Sequence, residues 1–255
     1  MVLPKNKKIY FASDQHFGAP NGNESRLREL KFINWLDAIA IDAYALYLLG
    51  DLFDFWIEYK KVVPKGFVRV LGKLAELADA GIKIHYFVGN HDLWMQDYFE
   101  LELNIPVHYE PLEMIWNDKI FLIGHGDGLG PGDNSYKSIK KVFTNPLAQN
   151  LFRCLPTRWG IGLGQYLSLK NKMISGEETP HFLGNDKEWL VQYCQEKEKE
   201  KKRHYYIFGH RHLPLDISID DVATYFNLGD WIIHDTYAVF DGNKTELKTW
   251  TPTYD

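Results

Sequence analysis

The chain has only two cysteines in 255 residues, Cys154 and Cys194. With no secretory segment in view they read as free thiols of a reducing compartment, and a disulfide-stapled scaffold is excluded. No run of 18 apolar residues occurs, so no membrane-spanning helix is expected. Lys5, Lys7 and Lys8 are not followed by an apolar h-region, and no signal peptide is expected. A large charge excess is also missing: the net charge of -5 offers no overall basic character for nucleic acid. Internal repeats and low-complexity tails are absent. What is left, 45% apolar and 25% charged residues, is the composition of one large globular domain with room for an insertion.

Against that background five segments stand out, each an apolar run that ends in Asp, Asn or His. They are Ile9 to His16, Leu46 to Asp54, Tyr86 to Asp92, Ile120 to Asp127 and Tyr205 to His212. The second turns on Gly50 and delivers Asp51 and Asp54, three positions apart. Apolar runs of this length suit buried strands. Helical patterns separate the first three. One spans about Glu24 to Ala40, capped by Asn23, with Leu27, Leu30, Ile33, Leu36 and Ala40 on one face. The other spans about Lys65 to Ala80 and ends at Gly81. The alternation predicts βαβ units in a layered α/β core.

Hairpin-like strands follow at Val107 to Glu110, Glu113 to Trp116 and Ile120 to Gly124, with a turn at Asn117-Asp118. Residues 126–133 are rich in glycine. From Asn134 to about Lys202 the pattern is helical. Asn185 and Glu188 suggest a capping box for its last helix, and the charged run from Glu196 to Arg203 suggests a solvated face. Four strands close the chain, near Leu215 to Ile219, Ala223 to Leu228, Thr236 to Phe240 and Thr245 to Trp250. The expected organisation is a core of residues 1–133 and 204–255, with residues 134–203 inserted as a helical cap.

The five segment ends supply Asp14, His16, Asp51, Asn90, His125, His210 and His212. Carboxylate oxygen and imidazole nitrogen together suit Mn²⁺, Fe²⁺ or Zn²⁺. Seven donors exceed the needs of one tetrahedral ion and suit two ions sharing a carboxylate. Singly, each motif has an ordinary explanation: Asp51 and Asp54 could cap a turn or helix, and Gly89-Asn90 or Gly209-His210 could be turn chemistry. Together they are specific. His85, His108, His181, His204 and His234 lie outside the motifs and read as structural or surface groups.

Asp-x-His, Gly-Asp-x-x-Asp, Gly-Asn-His-Asp, Gly-His and Gly-His-x-His, in this order, resemble the calcineurin-like metallophosphoesterases. The resemblance runs from about Ile9 to His212. It implies a four-layer α/β/β/α sandwich. It assigns Asp14, His16, His212 and a bridging Asp51 to one metal, and Asp51, Asn90, His125 and His210 to the other. His91 would face the phosphoryl group as general acid or charge stabiliser, and the Asp54 carboxylate would orient it.

The segment from Asp133 to Ser175 carries seven cationic residues against one acid, a net +6, together with many large apolar residues such as Phe143, Leu151, Trp159 and Tyr166. Such an insert suits an amphiphile with a phosphate head, though its apolar residues could equally pack on one another. Phe55, Trp56 and Tyr59 could line the cleft or pack beneath the cap. Ser13 to Gly18, Gly50 to Trp56, and His125-Gly126-Asp127 followed by Asp133 and Tyr136 look like the UDP-2,3-diacylglucosamine hydrolases of lipid A synthesis. That resemblance implies attack of metal-bound hydroxide on the α-phosphorus, with UMP and 2,3-diacylglucosamine 1-phosphate as products, and Mn²⁺ as the metal. It implies substrate contacts at Asn90, His91, Asp133, Lys170, Lys172 and His210. It further implies a monomer lying on the cytoplasmic face of the inner membrane, with a nucleotide-linked glycolipid as its partner. Many members have arginine where this chain has His91. Two other readings stay open: a soluble phosphoesterase acting on another phosphate ester, and a non-catalytic scaffold, which should have lost ligands that are all present here.

Overall fold

The computed structural model describes residues 1–131, 134–174 and 181–252. Two sheets face each other. The first has the order β11 (Thr245–Thr249), β10 (Thr236–Phe240), β1 (Lys8–Ala12), β2 (Ala43–Leu49), β3 (Lys83–Phe87), β4 (Val107–His108). The second has the order β5 (Leu112–Trp116), β6 (Lys119–Ile123), β7 (Tyr205–Phe208), β9 (Thr224–Leu228), β8 (Pro214–Ser218). Strands β1 to β4 run parallel, as do β6, β7 and β9. The motif-bearing loops after β1, β2 and β3, and after β6 and β7, therefore leave their sheets at carboxyl ends.

Two-residue periodicity divides each central strand between two cores. Ile9 and Phe11 of β1, with Ala45, Tyr47 and Leu49 of β2, meet Phe121, Ile207 and Phe226 between the sheets. Tyr10, Ala12, Leu46 and Leu48 face the other way. They pack against α1 (Gly22–Ile39), α2 (Val68–Asp79) and α3 (Tyr98–Leu103) through Phe32, Trp35, Leu74 and Phe99. On the far side of the second sheet, α7 (Trp189–Glu200) sets Leu190, Val191 and Cys194 against Tyr206, Phe208 and Tyr225. Each Leu, Ile, Val or Phe among them contributes roughly 1.5–3 kcal/mol on burial. The result is the expected four-layer sandwich. α7 forms its fourth layer, although the sequence pattern grouped it with the insertion.

Local structure departs from the sequence pattern at several places. Asn21, not Asn23, caps α1, and its side chain accepts from the N–H groups of Asn23 and Glu24. The buried face of α1 is Phe32, Trp35, Leu36 and Ile39, while Leu27 and Leu30 are exposed. Arg28 and Glu29 also turn inward because each bonds buried backbone. Arg28 donates to the carbonyls of His16 and Ala19, and Glu29 accepts from Val70 N. No side-chain cap bond opens α7. Its cap residue is Glu188, whose carboxylate holds Arg211 instead. The charged run is not wholly solvated, since Glu198 and Arg203 are buried and Glu198 accepts from Arg203 N and Tyr206 OH. Finally, α3 has no counterpart in the sequence reading.

Helices α4 (Asn134–Phe143), α5 (Pro146–Arg153) and α6 (Thr157–Ile174) come between β6 and α7. They rest on the loops after β2 and β3. Arg153 donates to Glu58 O at 2.9 Å, and Trp94 Nε1 donates to Phe143 O at 2.8 Å. A Cβ on Gly160 would come within 2.0 Å of Tyr59 Oη, and one on Gly164 within 2.0 Å of the Phe55 ring. Two glycines four residues apart thus open one face of α6 to two aromatic side chains. Phe55 and Tyr59 pack beneath these helices, and Trp56 is buried with its Nε1 on Glu58. α5 buries none of its residues, and Val142, Leu147, Leu151, Trp159, Leu163 and Tyr166 are exposed.

Candidate dinuclear metal centre

The strand ladders continue into the ligand loops. Asp14 N donates to Gly50 O at 3.1 Å, His16 N to Asp51 O at 2.9 Å, and Gly209 N to His125 O at 2.9 Å. Close approach is possible because the motif glycines lack a Cβ. A Cβ on Gly50 would lie 2.5 Å from His125 Nδ1, one on Gly89 2.2 Å from Asp51 Oδ1, and one on Gly209 2.4 Å from Asp14 Oδ2. Asp14, His16, Asp51, His210 and His212 all have left-handed backbones, with φ of 58°, 46°, 54°, 70° and 50°. Non-glycine residues avoid that region at a cost of order 1 kcal/mol or more each, and such strain clusters at functional sites.

All seven donors converge. In one half, His16 Nε2 lies 3.1 Å from His212 Nε2, 3.9 Å from Asp14 Oδ1 and 3.6 Å from Asp51 Oδ2, and His212 Nε2 lies 3.4 Å from Asp14 Oδ1. In the other, His125 Nε2 lies 3.4 Å from Asp51 Oδ2 and 3.1 Å from Asn90 Oδ1, which is 2.9 Å from His210 Nδ1. Donor atoms about 2.1 Å from one ion stand about 3.0 Å apart at right angles and about 3.4 Å apart at the tetrahedral angle. Five of these seven spacings match that range, His16 Nε2 stands farther from Asp14 and Asp51, and Asp51 Oδ2 lies between the halves.

Tautomers agree with that fit. His125 Nδ1–H donates to Leu49 O at 2.7 Å, which leaves the Nε2 lone pair aimed at Asp51 and Asn90. Charge agrees as well. Burial pushes the Asp14 carboxyl up, with neighbouring Asp51 adding to it. Burial also opposes ionisation of Asp51, yet His125 and His91 hold its carboxyl well below the usual range. Burial disfavours a charged His125, but Asp51 outweighs it and raises the imidazole to about 10. Burial, reinforced by His125, drives His210 down to about 3. Buried carboxylates that recruit a proton in this way have a strong demand for cationic charge, which divalent ions meet.

His91 is only partly buried, and its ring stands edge-on to His16 with centroids 4.6 Å apart. Its Nδ1–H donates to the Asp54 backbone carbonyl at 2.8 Å. The Asp54 carboxylate lies nearer His16 Nδ1, at 3.3 Å, than His91 Nδ1, at 3.7 Å. Asp54 thus meets His91 through both its backbone carbonyl and its carboxylate, and the same carboxylate also faces the ligand histidine His16. Asp133 lies outside the described residues. Lys170 and Lys172 fall in the last turns of α6, and their side chains also lie outside what is described.

Three supporting residues are not among the donors expected from the motifs. Asp230 follows β9 and accepts from the N–H groups of Ile232, Ile233 and His234, with Oδ2 3.5 Å from His212 Nδ1. Its sequence does carry a signal, because Leu228-Gly229-Asp230 repeats a sixth time the pattern of an apolar run ending in a ligand-type residue. Asp92 is buried and accepts from Gly89 N and Tyr86 OH, shaping the Gly-Asn-His-Asp turn. Asp127 ties the loop after β6 to α4 by accepting from Tyr136 OH and Lys140 Nζ.

A Porphyromonas gingivalis protein named UDP-2,3-diacylglucosamine hydrolase is 40% identical over 261 residues, covering 95% of this chain and 97% of its own length. A Haemophilus influenzae protein of the same name is 27% identical, covering 88% and 91%. Among solved structures, the Escherichia coli phosphoesterase YfcE aligns over 95% of this chain and 92% of its own, at 18% identity and a TM-score of 0.45. The description "Calcineurin-like phosphoesterase" matches residues 7–234. By motif order, by ligand geometry and by this match, the chain belongs to the calcineurin-like phosphoesterase family.

Proposed function

We propose that this metal-dependent hydrolase cleaves the pyrophosphate of UDP-2,3-diacylglucosamine, releasing UMP and 2,3-diacylglucosamine 1-phosphate. The observation that carries the reading is full-length similarity to a relative of that name, at 40% identity. The exposed apolar residues of α4 to α6 beside a cationic insert support it, since they offer surface to acyl chains and charge to phosphate. In this reading α4 to α6 are the cap, and the chain is a monomer that sits peripherally on the cytoplasmic face of the inner membrane. No helix among the described residues is long and apolar enough to cross a membrane.

Asp14, His16, His212 and Asp51 would hold one ion, and Asp51, Asn90, His125 and His210 the other, with Mn²⁺ the proposed metal. Such a pair supplies charge neutralisation at the phosphoryl oxygens and activation of water. The chain's own groups do the rest. Water oxygen bonds to the α-phosphorus, the bond to the bridging oxygen breaks, and the glycolipid phosphate departs with that oxygen. A phosphate monoester has a second pKa of about 6, so it leaves without needing full protonation. His91 is held through Nδ1 by Asp54 O. It would act on the leaving oxygen as general acid or as charge stabiliser. Asn90, His91 and His210 would contact the phosphates, Lys170 and Lys172 would lie near them, and Asp133 would meet the sugar or nucleotide end.

The test is UMP release from UDP-2,3-diacylglucosamine in detergent with Mn²⁺, beside hydrolysis of bis-p-nitrophenyl phosphate. Fast UMP release with poor generic turnover is expected. Generic turnover without UMP release would instead mark a soluble phosphoesterase with another substrate.

A further inference from the structure

Resting on that reading, we propose that a cavity of about 130 Å³ on the flank of His210 seats the nucleoside of the substrate. Its floor is the glycine-rich loop after His125. Gly126, Gly128 and Gly130 have φ of 116°, 70° and 76°, and a Cβ on Gly130 would lie 2.4 Å from Trp189 O. Without side chains the loop lies flat against the start of α7 and leaves a recess. Leu129, Leu183 and Trp189 give it apolar walls, and Lys187 and Arg211 give it a cationic edge.

Arg211 is fixed rather than floating. Its Nε and Nη2 donate to the two oxygens of Glu188 at 2.9 and 3.0 Å, and Glu188 is 2% exposed. Trp189 and Leu183 keep 46% and 49% of their surface, so a ring is able to stack there. An aromatic base with polar edges uses both features, through stacking and through hydrogen bonds to the cationic rim. An acyl chain would leave the rim unused and strip it of water. Position separates the two ends of the substrate. α5 and α6 lean on Phe55, Glu58 and Tyr59, in the loop that holds His91. The cavity is lined by His210 and by Gly126, the residue after His125, on the other half of the donor cluster.

The experiment uses the full chain with Mn²⁺ and a generic ester, bis-p-nitrophenyl phosphate, and compares inhibition by UMP with inhibition by inorganic phosphate. In the wild type UMP should inhibit at least tenfold more strongly than phosphate. Trp189→Ala should reduce that advantage about tenfold, the loss expected for one base–aromatic contact. Lys187→Ala, a change at an exposed residue, should reduce it severalfold. The ratio within each variant corrects for any general loss of activity or folding. Equal inhibition by UMP and phosphate in the wild type, or an advantage unchanged in both variants, overturns the proposal. Failure to hydrolyse UDP-2,3-diacylglucosamine while the UMP advantage stands would instead sink the substrate reading and leave the nucleoside site.

Discussion

Asp51 Oδ1 accepts the His91 backbone N–H at 2.8 Å, while Asp51 Oδ2 faces His16 Nε2 and His125 Nε2 at 3.6 and 3.4 Å. One carboxylate thus fixes the turn that presents His91 and stands between both halves of the donor cluster. Asp51→Ala should remove both ions and abolish hydrolysis. Asp51→Asn, which keeps an acceptor for His91 but loses the charge, should still lose at least one ion. Metal content by plasma spectrometry and turnover of bis-p-nitrophenyl phosphate read this out. An active Asp51→Ala protein contradicts the bridging role.

Asp230 acts on His212 from behind. Three backbone N–H groups hold its Oδ1, and its Oδ2 faces His212 Nδ1. Burial resists ionisation of Asp230, but His212 and the backbone donors hold its carboxyl far below the usual range. Asp230→Asn should weaken metal binding about 10–100-fold, the usual cost of losing such a partner. Titration of activity with Mn²⁺ should show a rightward shift with a recoverable maximum. A lowered maximum with no shift would assign Asp230 a different role.

The same substitution should have opposite signs at two glycines. Gly89→Ala drives a Cβ to 2.2 Å from Asp51 Oδ1, so it should destabilise the protein and lower metal occupancy. Gly162, on α6, has nothing within 4 Å of its Cβ position. Gly162→Ala should stabilise the helix by about 0.5–1 kcal/mol. Urea unfolding of the two variants checks both signs, and a neutral Gly89→Ala would mean the turn yields easily.

His85 should make stability depend on pH. Its Nδ1 lies 3.0 Å from His108 Nε2, and its ring stacks on Tyr47. Burial first, then His108, lower it to about 4 from 6.5. The folded state therefore binds fewer protons than the unfolded chain between those values. The contribution of a neutral His85 is complete above pH 6.5 and is lost as pH falls toward 4. Denaturant unfolding at about pH 7 and about pH 4.5 should show a smaller loss for His85→Phe than for the wild type. Equal losses would place the pH dependence elsewhere.

Much of this architecture is legible in the chain. Strand positions are readable because β1, β2, β3, β6 and β7 are largely buried and appear as continuous apolar runs. Asp14, Asp51 and the histidines stand out because ligand chemistry restricts residue type, and each follows such a run. The inward face of α1 is misread because a helix's buried stripe is set by its partners. Arg28 and Glu29 turn inward to bond backbone groups that sequence periodicity does not register.

Residue types, their order and the parallel strands that carry them are written in the chain itself. They follow from local polarity and from what a divalent ion accepts. Packing alone settles which oxygen of Asp51 lies between the halves, that Asp230 stands behind His212, and that the Asp54 carbonyl joins its carboxylate beside His91. Packing also sets α7 in the sandwich and leaves apolar side chains of α4 to α6 exposed. These are relations between groups far apart in the chain. Distance and direction in a packed fold depend on all the layers at once, and no local pattern encodes them.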